Sequence, residues 1–229
     1  MPFARPVKEA VIHALAAMER HPQHHLLPIH RLAIYNAIRQ AYNETAANYL
    51  RAHLGILTAR RVLPFWHAVT PIYPGTETPD GCPGDLYAEH FLFLALRTLE
   101  PKPPQELISL ELANEWYSMG NLGDEFFEWR TPTSEGSAAY LALRAAYFAP
   151  YEALGKEFLA GVSDLEEHTD DTLWLLHPYR SDAAGAAVLA IVGSDEFEKE
   201  PATSAAQRLA FWRWWLVEAL PQARALADR

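Results

Sequence analysis

The chain is poor in the features that would fix a function directly. Among its 229 residues there is one cysteine, Cys82. No disulfide framework can form within one chain, which suits a reducing compartment. No window approaches the length of a bilayer span without charges. The first residues do not form a signal peptide, because the apolar run after Lys8 is broken by His13, Glu19 and Arg20. These features lead us to expect a cytoplasmic protein. Basic residues are also scarce: 19 Lys and Arg stand against 29 Asp and Glu, a formal net charge of −10. That argues against binding nucleic acid or an anionic membrane, both of which need a basic face. It is compatible with a basic protein partner, and equally with acidity that serves solubility alone.

Catalytic signatures are scarce as well. There is no Gly-x-Ser-x-Gly elbow. A phosphate-cradling Gly-x-x-x-x-Gly-Lys and a dinucleotide fingerprint are both missing. Cys82 lies in Gly81-Cys82-Pro83-Gly84 with His90 downstream, too little for a dyad. His21, His24, His25 and His30 lie close together with Glu19 beside them. Their spacing fits no zinc pattern, and Pro22 breaks the helical geometry that would make His21 and His25 converge. The expectation there is a polar surface loop without metal. Glu166, Glu167, His168, Asp170 and Asp171 resemble a hard-cation site in composition only, lacking the glycine and terminal glutamate of an EF-hand. No cofactor is expected.

Strand signals are missing too. No stretch alternates over a strand's length with turn chemistry on both sides. The chain therefore reads as all-α, a bundle of about seven or eight helices in a single domain over 1–229. A Pro- and Gly-rich segment at 70–84 marks a loop excursion or sub-boundary. Helices are expected near 7–20 and 31–42. A longer helix capped by Thr45 should run to about Val69, with Pro64 inside it and a kink or break near Arg61. Further helices are expected from Asp85 to Leu99, at 105–119, at 135–147, and from a Ser181-Asp182 cap to Gly193.

The organising stretch is Arg208–Leu220. Leu209, Trp212, Leu216 and Leu220 form one apolar stripe, and Phe211, Trp214 and Trp215 cover much of the opposite side. A helix apolar almost all round is buried on most of its circumference. It carries three of the seven tryptophans. Pro221 either closes it or kinks it.

Two segments carry a resemblance. One is Leu57-Thr58-Ala59-Arg60-Arg61-Val62-Leu63-Pro64-Phe65-Trp66; the other is Phe211–Pro221. With alanine-rich helices between them, they resemble an all-α immunity-protein family of bacterial polymorphic toxin systems, the one usually numbered five. The resemblance covers about Arg31 to Leu220; the loops at 70–84 and 120–134 do not line up with it. In that family a tryptophan is characteristic, matched here by Trp66 or Trp212. The resemblance implies a protein without catalytic residues that neutralises a toxin encoded beside it.

Two acidic stretches are the candidate partner-binding residues. Asp164, Glu166, Glu167, Asp170 and Asp171 have the greater charge density. Asp124, Glu125 and Glu128 interleave with Phe126, Phe127 and Trp129, which have better anchor chemistry. A toxin with a basic surface would associate fast with either. Two other readings stay open: a helical hydrolase using a carboxylate or His-bound metal, and a structural or adaptor protein. The sequence does not state the oligomeric state.

Overall fold

The computed structural model describes residues 3–69, 86–101, 105–112, 134–155, 159, 167–170, 181–192 and 201–229. Among them the chain forms eight helices and no strand. These are α1 (Arg5–Arg20), α2 (Pro28–Ala41), α3 (Glu44–Val69), α4 (Tyr87–Arg97), α5 (105–112), α6 (Ser134–Ala153), α7 (Ala183–Val192) and the C-terminal α8. Helix α8 is continuous through Pro201–Trp214, a wider turn at Trp215–Ala219, and Leu220–Ala227.

The pairing of α3 with α6 is the most extensive in the bundle. Residues 137–150 of α6 are all buried, as its run of alanines and large apolar groups requires. Small residues set how close the axes come. A Cβ on Gly55 would lie 3.1 Å from both Cα and Cβ of Ala149. No side chain fits there without moving backbone. Helix α7 packs against both α6 and α3, α4 does the same, and α1 packs against α2. The buried apolar residues of these helices join one core.

Helix α8 closes this core as its pattern requires. Phe211, Trp212, Trp215 and Leu216 are buried, and so is Trp66 of α3. The Trp215 indole N–H donates to Thr58 Oγ1 at 3.1 Å, which satisfies the ring's polar edge. Trp212 and Trp215 meet edge to face, with ring centroids 6.1 Å apart. Pro221 does not end the helix. It has no N–H to return to the Val217 carbonyl, and the turn before it widens so that Leu220 N–H bonds Trp215 O.

Two local expectations are corrected. The cap of α3 is Asn43, whose Oδ1 accepts from Ala46 N–H at 2.9 Å, so the helix begins one residue before Thr45. Helix α3 runs unbroken through Pro64. Both Pro64 and Arg60, the residue whose carbonyl loses its partner, are on the exposed side, where water can bond the freed carbonyl. In α1 the inward face is Val7, Ala14 and Met18, and Ile12 points outward. By contrast, the cap expected at Ser181-Asp182 is present: Asp182 Oδ1 accepts from Gly185 N–H at 2.8 Å. The loop at 70–84 lies outside the described residues, as do Asp85 and Gly120.

Leu216 is buried in the core, so Leu216→Ala should cost about 2–5 kcal/mol. Urea unfolding measures this. A loss under about 1 kcal/mol would mean that α8 is not seated as described.

Candidate functional site

The densest convergence of polar chemistry among the described residues lies inside the bundle. Its centre is Arg31 of α2, fully buried. In α2 the residues Arg31, Ile34, Tyr35 and Ile38 share one inward face, so helical spacing alone carries the guanidinium into the core. There it uses all five of its N–H donors. Nε donates to Asp182 Oδ2 at 2.8 Å. One terminal nitrogen donates to Leu26 O at 2.7 Å and Asp170 Oδ2 at 3.1 Å. The other donates to Asp170 Oδ1 at 2.6 Å and Asp182 Oδ1 at 2.9 Å. The guanidinium carbon also lies 5.0 Å from the centroid of the Trp212 ring. Burial disfavours the charge on Arg31, but Asp170 and Asp182 outweigh it and hold the group charged.

A third carboxylate belongs to the same cluster. Glu152, at the end of α6, is buried. Its Oε1 accepts from Ala183 N–H at 2.7 Å, the first amide of α7. Its Oε2 lies 3.3 Å from the Tyr35 hydroxyl, which donates to it when Glu152 is ionised. Arg51 of α3 is buried over the other side of Tyr35, 5.4 Å from the ring centroid. Burial, then Asp182, push the Glu152 carboxyl up to about 8, against the pull of Ala183 N–H, Arg51 and Tyr35. Gly185 leaves the space this cluster needs. A Cβ there would fall 2.6 Å from Ser181 Oγ, 2.7 Å from Asp170 Oδ1 and 2.8 Å from Asp182 Oδ1.

Chemically, this arrangement is a closed ion cluster. Arg31 bonds both aspartates, Glu152 bonds the Tyr35 hydroxyl and the first amide of α7, and Arg31, Glu152, Asp170 and Asp182 are all buried. What it does is join elements: α2, α7, the end of α6, the segment around Asp170 and the loop before α2.

The sequence-predicted residues fall differently. Asp170 does not belong to an outward acidic patch: it is 3% exposed, and both its oxygens accept from Arg31. A carboxylate beside a buried guanidinium gains more from that pairing than from water only if it goes in with its partner. Glu167 is exposed, as expected. Asp124, Glu125, Phe127, Glu128, Trp129, Asp164, Glu166 and Asp171 lie outside the described residues, as do Phe126 and Cys82.

The histidine cluster is also corrected. His21 and His25 do converge, with ring centroids 5.0 Å apart and edge to face. A turn brings them together, not a helix; His24 takes φ 54° within it. His25 is buried, so this is not wholly a surface loop. Burial first, then Arg208, His21 and Arg31, lower the His25 imidazole to about 3. Among the described residues, no group of three or more His, Cys, Asp or Glu is placed to hold a metal ion.

Sequence reasoning passed over Arg31, Arg51, Arg144 and Glu152. The signal was there. Each arginine lies at helical spacing within an otherwise apolar face, and a charged residue in such a position is either a break in the face or a buried ion. Arg144 is buried with its guanidinium carbon 4.8 Å from the Phe148 ring centroid.

The chain matches no protein-family model, and no curated protein is similar to it.

Arg31→Met leaves Asp170 and Asp182 buried side by side without a counter-ion, and should cost about 3–5 kcal/mol in equilibrium unfolding. A loss below about 1 kcal/mol would contradict the closed cluster.

The same cluster sets the pH dependence. Glu152 is raised from 4.5 to about 8 on folding, so the native state holds the extra proton between those values, and stability falls as pH rises through them. His25 is lowered from 6.5 to about 3, so stability falls as pH drops through that window. The two oppose each other between 4.5 and 6.5; from 6.5 to 8 Glu152 acts without that opposition. There stability should decline by up to about 1.4 kcal/mol per pH unit, and Glu152→Gln should flatten the decline. Parallel curves for the two proteins would place the titration elsewhere.

Proposed function

We propose that the protein neutralises a cognate protein toxin by binding it one to one, and that it carries out no chemistry of its own. The observation that carries this reading is the direction in which its polar groups face. The convergent ionisable groups among the described residues are turned inward and bonded within the bundle, where they hold helices together. The chain as a whole is acidic, at a net charge of −10. A stoichiometric inhibitor needs a rigid scaffold and a complementary exterior, and an acidic exterior speeds encounter with a basic partner. The resemblance to an immunity-protein family, through the Leu57–Trp66 and Phe211–Pro221 segments, supports the same reading. Trp66 and Trp212, one of which would match its characteristic tryptophan, are both core residues here.

In this reading the protein acts in the cytoplasm of the producing cell, where the toxin would do its damage. No described helix is long and apolar enough to cross a membrane, in keeping with that location. Acidic residues of the two sequence stretches, Glu167 with Asp164, Glu166 and Asp171, and Asp124, Glu125 and Glu128, are the candidate charges for this encounter. Rim charges chiefly set the association rate and its salt dependence.

The test is co-expression with the toxin encoded by the neighbouring gene, paired with binding kinetics on purified proteins. Protection should coincide with a one-to-one complex. Reversing charge at Glu166, Glu167 and Asp171 should slow association and flatten its dependence on salt. Protection without a detectable complex would contradict the binding mechanism and favour an enzyme acting on the toxin's target.

A further inference from the structure

The arginines that reach the surface are not all matched. Arg5, Arg97, Arg213 and Arg224 each meet a carboxylate of this chain. Arg60 and Arg61 are exposed on α3 and stand in no ion pair among the described residues. The Arg61 guanidinium lies instead over the Trp214 ring of α8, 5.0 Å from its centroid. That contact is favourable but leaves the charge without a counter-ion. Glu218 of α8 is exposed too, and among the described residues it meets no cation. Two cations without a carboxylate are unexpected in a chain with 29 acidic and 19 basic residues.

These residues share one surface. Helix α8 runs antiparallel to α3: Trp214 meets Arg61, and further along α8 Arg224 lies over the ring of Tyr42, just before α3, at 4.6 Å. On α3, Phe65 follows Arg61 by one helical turn; on α8, Val217 and Glu218 follow Trp214 by one turn. The antiparallel run sets Phe65 at one end of a strip, the Arg61–Trp214 stack in the middle, and Val217 with Glu218 at the other end. Phe65 is 37% exposed and Val217 57%, and Trp214 is half-buried. Apolar surface therefore lies among two unmatched cations and one unmatched carboxylate, and the strip does not share the negative excess of the whole chain. A basic partner would press against Arg60 and Arg61. An acidic partner would press against Glu218. A second copy, turned about a two-fold axis, supplies both signs at once, because any contact it makes is made twice.

From this we infer that the seam of α3 and α8 around Arg61 and Trp214 is a two-fold interface between two copies of this chain. Arg61 of each copy faces Glu218 of the other, with Trp214 and Val217 closed between them. The apolar side chains hold the dimer, and the reciprocal charge pairs set its register. The inference goes beyond the toxin-neutralising reading and stands without it; such a dimer is compatible with one toxin per copy.

The experiment is sedimentation of the purified full chain over a concentration series, with thermal melting as the check on each variant's fold. The wild type should be a dimer that dissociates on dilution. Phe65→Ser/Val217→Ser should raise its dissociation constant at least about tenfold. Leu86→Ser/Phe93→Ser, a control pair of exposed apolar residues on another helix, should leave it unchanged. Arg61→Glu and Glu218→Arg should each weaken the dimer, and Arg61→Glu/Glu218→Arg together should recover most of the loss, which a merely structural role for either residue would not produce. A wild type that stays monomeric at every concentration overturns the inference. So does a dimer that tolerates Phe65→Ser/Val217→Ser, an equal loss in the control pair, or a double charge variant no better than the single ones. A monomeric wild type whose binding to the adjacent-gene toxin domain is weakened by Phe65→Ser/Val217→Ser overturns it in favour of the toxin as the occupant.

Discussion

A single guanidinium, buried without access to water, ties this fold together. Arg31 reaches two aspartates and a backbone carbonyl from sequence positions as far apart as Leu26, Asp170 and Asp182. An ion pair of this kind is not a cheap source of stability, because removing both charges from water costs about as much as their attraction returns. Its contribution is to specificity. Any arrangement that separates Arg31 from either aspartate leaves a buried charge alone, so mispacked alternatives are penalised far more than an apolar core would penalise them. We see in this the reason the bundle tolerates an α6 whose residues 137–150 are buried all round, although an alanine-rich face alone offers little to fix register.

The packing around the cluster follows from the same constraint. Gly185 is required where the two aspartates approach α7. Glu152 caps α7 from α6 while Asp182 caps it from within. Two carboxylates at one helix N-terminus suit its dipole, yet two ionised carboxylates beside one another in the core repel. Holding a proton on Glu152 relieves that conflict. Trp212 covers Arg31 from α8, so the aromatic C-terminal helix and the ion cluster are two sides of one joint.

Much of the helical architecture was legible because helices announce themselves through spacing and caps. The buried face of α8 and the Asp182 cap were both readable from residue types alone. Pro64 and Pro221 left the course of their helices open for one reason: a proline removes one hydrogen bond, and whether that ends a helix depends on what satisfies the freed carbonyl, which is a matter of surroundings. The acidic run was misread at Asp170 because charge density says nothing about partners. Its counter-ion lies 139 residues earlier in the chain, and no local pattern connects them. His21 and His25 met through a turn that Pro22 permits, where only helical convergence had been considered. Arg31 itself could have been suspected from its place between Leu27 and Ile34 on an apolar face.

The molecule has a closed interior that specifies the fold, and in the function proposed its exterior meets a partner. Hydrogen exchange on the protein alone and with the adjacent-gene toxin domain tests that division most directly. The account requires slower exchange at exposed segments in the complex, with the amides of α2 and α7 unchanged. Unchanged exchange throughout, or protection confined to α2 and α7 around Arg31, would contradict it.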